Sequence, residues 1–293
     1  MDFVRTPEER FENIEAYNFN SKYLSIDGLR MHYIDEGSGE CILLLHGEPS
    51  WSYLYRKMIP LLTAKRYRCV APDLIGFGKS DKPVERGDYT YANHERWLTT
   101  FLKELNLTSI TLFCQDWGGL LGLRLVANYP ERFARVLASN TFLPTGNEPF
   151  PEAFLNWRSY VAHSEGFNIG NVIQKGTYSS LSEEEIEAYN APFPGEDYKI
   201  GARRFPELVP TEAQEPEGIK NQEIWQKLTQ LELPFLTVFG ADDPITRGAR
   251  KIFQQLIPGA KDQPHQLLEE AGHFIQEDQP EKLSEALDKF IKG

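Results

Sequence analysis

The stretch Thr111-Leu-Phe-Cys-Gln-Asp-Trp-Gly-Gly-Leu120 decides how the rest of the chain is read. An apolar run ends, one acid follows, and an apolar helix-like segment opens at once. Strand, sharp turn and helix in that order form the setting of a nucleophile elbow, usually written G-x-S-x-G. Asp116 takes the place of the Ser and Gly118 that of the second Gly. Cys114, a small residue, replaces the first. Residues 118–129 carry Leu120, Leu121, Leu123, Leu125 and Val126 on nearly every side, which predicts a deeply buried helix. Gly118 and Gly122 let that helix approach the sheet closely. A carboxylate at the elbow changes the chemistry. It can displace a leaving group from saturated carbon to give an alkyl ester, whose carbonyl water then attacks. A serine would be left as an ether. The competing reading is an Asp that merely caps a helix.

Working outward, strand-like and helix-like segments alternate, the pattern of a parallel sheet flanked by helices. Residues 22–27 and 29–35 flank Asp27-Gly28, a hairpin signal. Residues 41–45 form a short, wholly apolar run, as a strand buried on both faces requires. Residues 67–71, 109–114, 136–138, 235–239 and, more weakly, 265–268 read the same way. Residues 96–105 read as a helix. From 144 to 216 no strand is evident, and the segment is rich in Pro and aromatics, including Trp157, Phe193 and Phe205. The fold class is therefore α/β. Residues 1–143 and 217–293 make the core, and a helical cap, 144–216, is inserted after the sixth strand. Such a cap would cover the crevice at the strand carboxyl ends, where open α/β sheets bind ligands.

Two further motifs bear on the elbow. Ala271-Gly-His-Phe274 follows the last strand-like run, and His273 is placed there as general base. Gly240-Ala-Asp-Asp243 follows another strand and offers a carboxylate to orient it. Two acids compete; Asp243 is preferred because it precedes Pro244 and fits a G-x-x-D spacing. Nucleophile, acid and His then run in the α/β-hydrolase order. Leu45-His-Gly-Glu-Pro49 follows a central strand, so the backbone N–H groups of Glu48 and Trp117 are candidates for an oxyanion hole. His46 reads as a structural loop residue. Gly76-Phe-Gly-Lys-Ser80 imitates a phosphate loop, but G-x-x-x-x-G-K-[ST] needs Gly where the chain has Asp73.

The bulk figures exclude other classes. With 31 basic and 43 acidic residues the net charge is −12, which repels nucleic acid and anionic membranes. No apolar run nears the roughly 18 residues of a membrane span, and the first residues lack a signal-peptide pattern. Cys41, Cys69 and Cys114 lie in or at the ends of strand-like runs, so buried, reduced thiols and a cytoplasmic location are expected. A monomer is expected.

Together these motifs resemble the haloalkane dehalogenases. The likeness lies in His46-Gly-Glu-Pro-Ser-Trp-Ser-Tyr-Leu-Tyr-Arg56, Asp73-Leu-Ile-Gly-Phe-Gly-Lys-Ser-Asp-Lys-Pro83, Gln115-Asp-Trp-Gly-Gly119 and Gly272-His-Phe274. With the strand order, it covers nearly the whole chain. The branch it resembles carries its acid after the penultimate strand, at Asp243. The other branch has a Glu where this chain has Asn140 and Thr141. The resemblance implies that Trp117 and a cap residue, Trp157 in Phe154-Leu-Asn-Trp157, hold the departing halide through their indole N–H groups. It implies pocket positions at Phe154 and Leu120, the latter where a known member has an aromatic. It also implies a small halogenated alkane and water as substrates, halide as a product, and neither metal nor organic cofactor. The runner-up is an epoxide hydrolase with the same Asp nucleophile, for which Tyr160 and Tyr178 could serve as acids.

Overall fold

The computed structural model describes residues 1–293. An eight-stranded sheet forms its centre. Its strands are β1 (Lys22–Ile26), β2 (Leu29–Gly37), β3 (Cys41–Leu45), β4 (Arg68–Pro72), β5 (Ile110–Gln115), β6 (Phe133–Ser139), β7 (Phe235–Gly240) and β8 (Gln266–Leu268). Their order across the sheet is β8-β7-β6-β5-β3-β4-β2-β1. The Asp27-Gly28 turn makes β1 and β2 antiparallel, and β2 also runs antiparallel to β4; the remaining pairs are parallel. Every residue of β3, β5 and β7 is buried, which is why these runs are mostly apolar and do not alternate.

Helices α1 (Met58–Thr63), α2 (Tyr91–Glu104), α3 (Trp117–Asn128), α8 (Pro216–Leu228), α9 (Arg250–Leu256), α10 (Ile275–Asp278) and α11 (Pro280–Lys292) belong to the connections around the sheet. The long insertion between β6 and β7 also holds α4 (Glu152–His163), α5 (Ile169–Gly176), α6 (Glu183–Asn190) and α7 (Ile200–Leu208), with no strand. Helix α2 begins five residues before the 96–105 reading. Thr90 caps it by accepting the Asn93 N–H at 3.1 Å, and its first turns bury Tyr91 and His94, polar residues that the apolar pattern did not count. Strand β6 is longer than 136–138 at both ends, because pairing with β5 runs from Phe133 to Ser139. A two-residue antiparallel ribbon of Phe3–Val4 with Lys82–Pro83 was not foreseen.

The register sets the site. Leu45 stands opposite Cys114, Gln115 opposite Ser139, and Leu268 opposite Gly240. The parallel strands thus end along one edge, and the loops after them leave the sheet together. At the same edge, after β4, the turn at Gly76–Ser80 is built around a carboxylate. Buried Asp73 accepts the Lys79 and Ser52 N–H groups and faces His32 Nδ1 at 2.8 Å. This leaves no seat for a phosphate. No helix is long and apolar enough to cross a membrane. The three cysteines are free and buried.

Candidate active site

Asp116 sits between β5 and α3 with φ 50° and ψ −126°. A non-Gly residue there is strained by roughly 1–3 kcal/mol and is held only by its surroundings. Those surroundings are specific. Asp116 N–H donates to Asn140 O at 3.0 Å, and Thr141 Oγ1 donates to Asp116 O at 2.7 Å. The turn is also crowded. A Cβ on Gly118 would lie 2.0 Å from Leu45 O, one on Gly119 2.0 Å from Thr141 Oγ1, and one on Gly47 2.2 Å from Asp116 Oδ1. Close approach thus depends on Gly47, Gly118 and Gly119. Gly122 is less critical, its nearest neighbour being a flexible Leu112 methyl at 3.0 Å. The Asp116 side chain keeps 22% exposure, so a ligand can reach it.

The loop after β3 brings Glu48 N–H to Asp116 Oδ1 at 2.7 Å. Trp117, which opens α3, has no carbonyl partner for its amide within the helix. His46 is buried with both ring nitrogens engaged: Nε2 accepts the Leu74 N–H at 3.0 Å and Nδ1 donates to Gly47 O at 2.9 Å. It supports the loop and is not free to take a proton.

His273 Nε2 lies 3.5 Å from Asp116 Oδ2, and His273 Nδ1 donates to Asp243 Oδ2 at 3.2 Å. Asp243 is fully buried and further held by the Ile245 N–H at 2.9 Å and by the Thr246 hydroxyl. Its neighbour Asp242 is exposed and accepts the Ala271 N–H at 3.3 Å. Burial alone would raise the Asp243 pKa, but the charge and hydrogen bond of His273 and the Thr246 and Ile245 bonds bring it below the usual carboxylate value. Burial also works against a charged His273. The Asp243 charge, with the bonds and charge of Asp116, outweighs it and raises His273 to about 10.

Asn140 does work that the sequence did not reveal. Its Nδ2 donates to the carbonyls of Gly272 (2.7 Å) and His273 (3.0 Å), and its Oδ1 accepts the Gly240 N–H at 2.8 Å. It ties together the ends of β6 and β7 and the His273 loop. Gln115 Nε2 donates to His273 O at 3.2 Å. A polar pair directly after an apolar strand was the available signal.

These groups open into a cavity of about 650 Å³ with a mostly apolar lining. Asp116, Trp117, Leu120, Phe154, Trp157 and His273 all line it. Trp117 is buried against Tyr91 and Phe205. Trp157 is half-buried beside Tyr160 and Phe167. Burial, and then the nearby Asp116 carboxylate, push the Glu48 carboxyl well above its usual range, while the Trp157 indole and His273 act against this. Tyr160 and Tyr178 line the cavity too, but at 43% and 56% exposure. An acid for an alkoxide works best desolvated, so both are poorly placed.

Fold and elbow define an α/β-hydrolase-fold protein, and the family model described as alpha/beta hydrolase fold matches residues 40–280. The chain is 51% identical to a haloalkane dehalogenase of Psychrobacter cryohalolentis, over 99% of this chain and 98% of that one. It is 46% identical to another of Mycolicibacterium paratuberculosis, over 98% and 97%. Among solved structures, the tetrameric haloalkane dehalogenase DpaA of Paraglaciecola agarilytica superposes with a TM-score of 0.92 at 34% identity, covering 100% of this chain and 99% of that one. The chain belongs to the haloalkane dehalogenase family, hydrolases that act on carbon–halide bonds.

Proposed function

We propose that this dehalogenase works through Asp116, His273 and Asp243, with Trp117 and Trp157 as halide donors. The observation that carries the reading is the setting of Asp116. One carboxylate oxygen faces the Glu48 amide and the other faces His273, inside an apolar cavity. Oδ2 attacks the halogen-bearing carbon; the new C–O bond forms as the carbon–halogen bond breaks, and halide leaves with the electron pair. Halide needs no proton, but in a dry cavity it needs hydrogen bonds, which the two indole N–H groups supply. Oδ1 becomes the ester carbonyl oxygen. His273, oriented by Asp243, takes a proton from water, and the resulting hydroxide attacks Cγ. The oxyanion on Oδ1 is held by the Glu48 and Trp117 amides. Collapse releases the alcohol, restores the Asp116 carboxylate and leaves the proton on His273, from which it passes to solvent. Residues 144–216 act as the cap that keeps bulk water out.

The test is release of bromide and protons from 1,2-dibromoethane and 1-bromohexane. The long apolar lining supports the second substrate. Each buried methylene contributes about 0.8 kcal/mol, so kcat/KM for 1-bromohexane should be at least tenfold higher. No halide from either substrate, with turnover of styrene oxide, would move the assignment to epoxide hydrolysis. The three buried free cysteines support a cytoplasmic location, where a role in detoxification would be exercised. Against the monomer expectation stands the tetramer of DpaA; light scattering on the eluted protein decides between them.

Trp157→Phe keeps the apolar ring and removes one N–H donor. Bromide affinity should fall ten- to hundredfold, as quenching of the remaining tryptophan fluorescence would read. The carbon–halogen cleavage step should slow by a similar factor, corresponding to about 1.4–2.7 kcal/mol. Unchanged bromide affinity would remove Trp157 from the halide site.

The charges on His273 set a pH dependence. In the free protein its pKa is about 10, held up in part by Asp116. Esterification removes the Asp116 charge, so the pKa of His273 drops and the base becomes neutral when it is needed. The kcat governed by ester hydrolysis should therefore rise with pH through a value below 10 and be lost as pH falls beneath it. A limb of kcat close to pH 10 would count against the scheme.

A further inference from the structure

Backbone polar groups on both sides of His273 have partners, and two of those partners lead into the cap. Ala271 N–H goes to Asp242, and the Gly272 and His273 carbonyls accept from Asn140, all within the core. Phe274 N–H, however, donates to Gly176 O at 3.2 Å, at the end of α5. Gly272 N–H donates to Asp278 Oδ2 at 2.8 Å.

That carboxylate holds more than the Gly272 amide. Its Oδ2 also accepts the Tyr178 N–H at 3.0 Å, while Oδ1 accepts the Ser179 N–H at 2.8 Å and the Ser179 hydroxyl at 2.7 Å. One side chain thus joins the residue before His273 to the cap turn after α5. Thr177 and Tyr178 of that turn line the same cavity as Gly272 and His273. The apposition is tight: a Cβ on Gly176 would lie 2.7 Å from the Phe274 ring, and one on Gly272 2.5 Å from Gly176 O. Glu277, the preceding residue on α10, makes a parallel connection. It pairs with buried Arg56 and with Lys57, accepts the Tyr189 hydroxyl of α6, and through Arg56 and Lys57 is linked to Glu185 of the same helix.

We infer that Asp278 is a positioning residue for ester hydrolysis: it sets His273 through the Gly272 amide and makes that setting depend on the seating of the cap. The inference rests on His273 being the base of the second step. Its physical basis is that Asp278 bonds to the His273 loop and not to Asp116, although Asn140 bonds to both. Asp116 is held by Asn140 O, Thr141 and the Glu48 amide, none of which uses Asp278. Attack on the alkyl halide therefore does not depend on Asp278. Proton transfer from water does, because it needs Nε2 at hydrogen-bond distance, and small misplacements are costly in rate. A base held by the cap is fully assembled only while the cap covers the site, so the reactive ester meets activated water in a closed cavity.

Asp278→Asn removes the charge and leaves a single carbonyl to serve donors from both sides. With 1-bromohexane, kcat should fall tenfold or more while kcat/KM, set by carbon–halogen cleavage, stays within twofold. KM then falls with kcat, and mass spectrometry of quenched samples should show more ester on Asp116 than in the parent. Ser179→Ala removes only the hydroxyl bond on the cap side and should lower kcat two- to threefold with the same constancy of kcat/KM. If kcat and kcat/KM fall together in Asp278→Asn, or if neither changes, Asp278 does not act through the base. Should that variant fail to fold, an unchanged kcat in Ser179→Ala overturns the inference by itself. A parent protein that releases no bromide would overturn the underlying mechanism; a parent that turns over normally beside an unaffected Asp278→Asn overturns only the coupling.

Discussion

Replacing His273 with Gln should stop the reaction at the alkyl ester. Mixed with 1-bromohexane, the variant releases one bromide per chain and no alcohol, and a tryptic peptide containing Asp116 gains the mass of a hexyl group. Steady-state kcat should fall by roughly 10⁴, the usual cost of losing the base of a triad. The reason is the division of labour between the two steps. In the proposed mechanism, carbon–halogen cleavage uses the Asp116 carboxylate and the indole donors and needs no proton transfer. Hydrolysis needs a base beside the ester, and the only side chain within reach of Asp116 Oδ2 that can act as one is His273 at 3.5 Å. Gln fills most of the space without accepting a proton from water. Stoichiometric bromide with no peptide adduct would refute covalent catalysis.

Asp116→Ala should abolish both bromide release and adduct formation, a loss of at least about 10⁴ in kcat/KM. Nothing replaces the nucleophile. The neighbouring carboxyl in the cavity, Glu48, is buried, and burial pushes it above the usual range, which favours the neutral form and makes it a poor nucleophile. The variant should fold. Removing the acid leaves the Asn140 O and Thr141 Oγ1 bonds to the main chain of residue 116 in place, and they define the turn. Residual bromide release at the parent rate would place the nucleophile elsewhere.

Much of the architecture was legible because the central strands are buried on both faces. Residues 41–45 are apolar without interruption, and the structure has β3 at Cys41–Leu45. The Asp27-Gly28 turn announced the hairpin for a local reason: both residues take positive φ, at 53° and 82°. The start of α2 was less legible, since its buried face includes Tyr91 and His94, which composition alone assigns to solvent. Asp242 and Asp243 show the same limit at the site. Two adjacent carboxylates differ only in the direction their side chains take from the chain. The turn after β7 buries Asp243 on His273 and leaves Asp242 exposed.

The Asp at the elbow is a fact of the primary chain. From one residue type between an apolar strand and a glycine-containing helix follow the proposed displacement chemistry, its covalent ester and its need for a base. That chemistry depends on the functional group and its local turn, both encoded within about ten residues. What tertiary structure alone decided is how the other groups meet it. Asn140 on His273 and Asp278 on the cap turn span 133 and 100 residues of sequence respectively. No local pattern marks such partners, because their pairing follows from strands ending on one edge and from an inserted segment folding back over them.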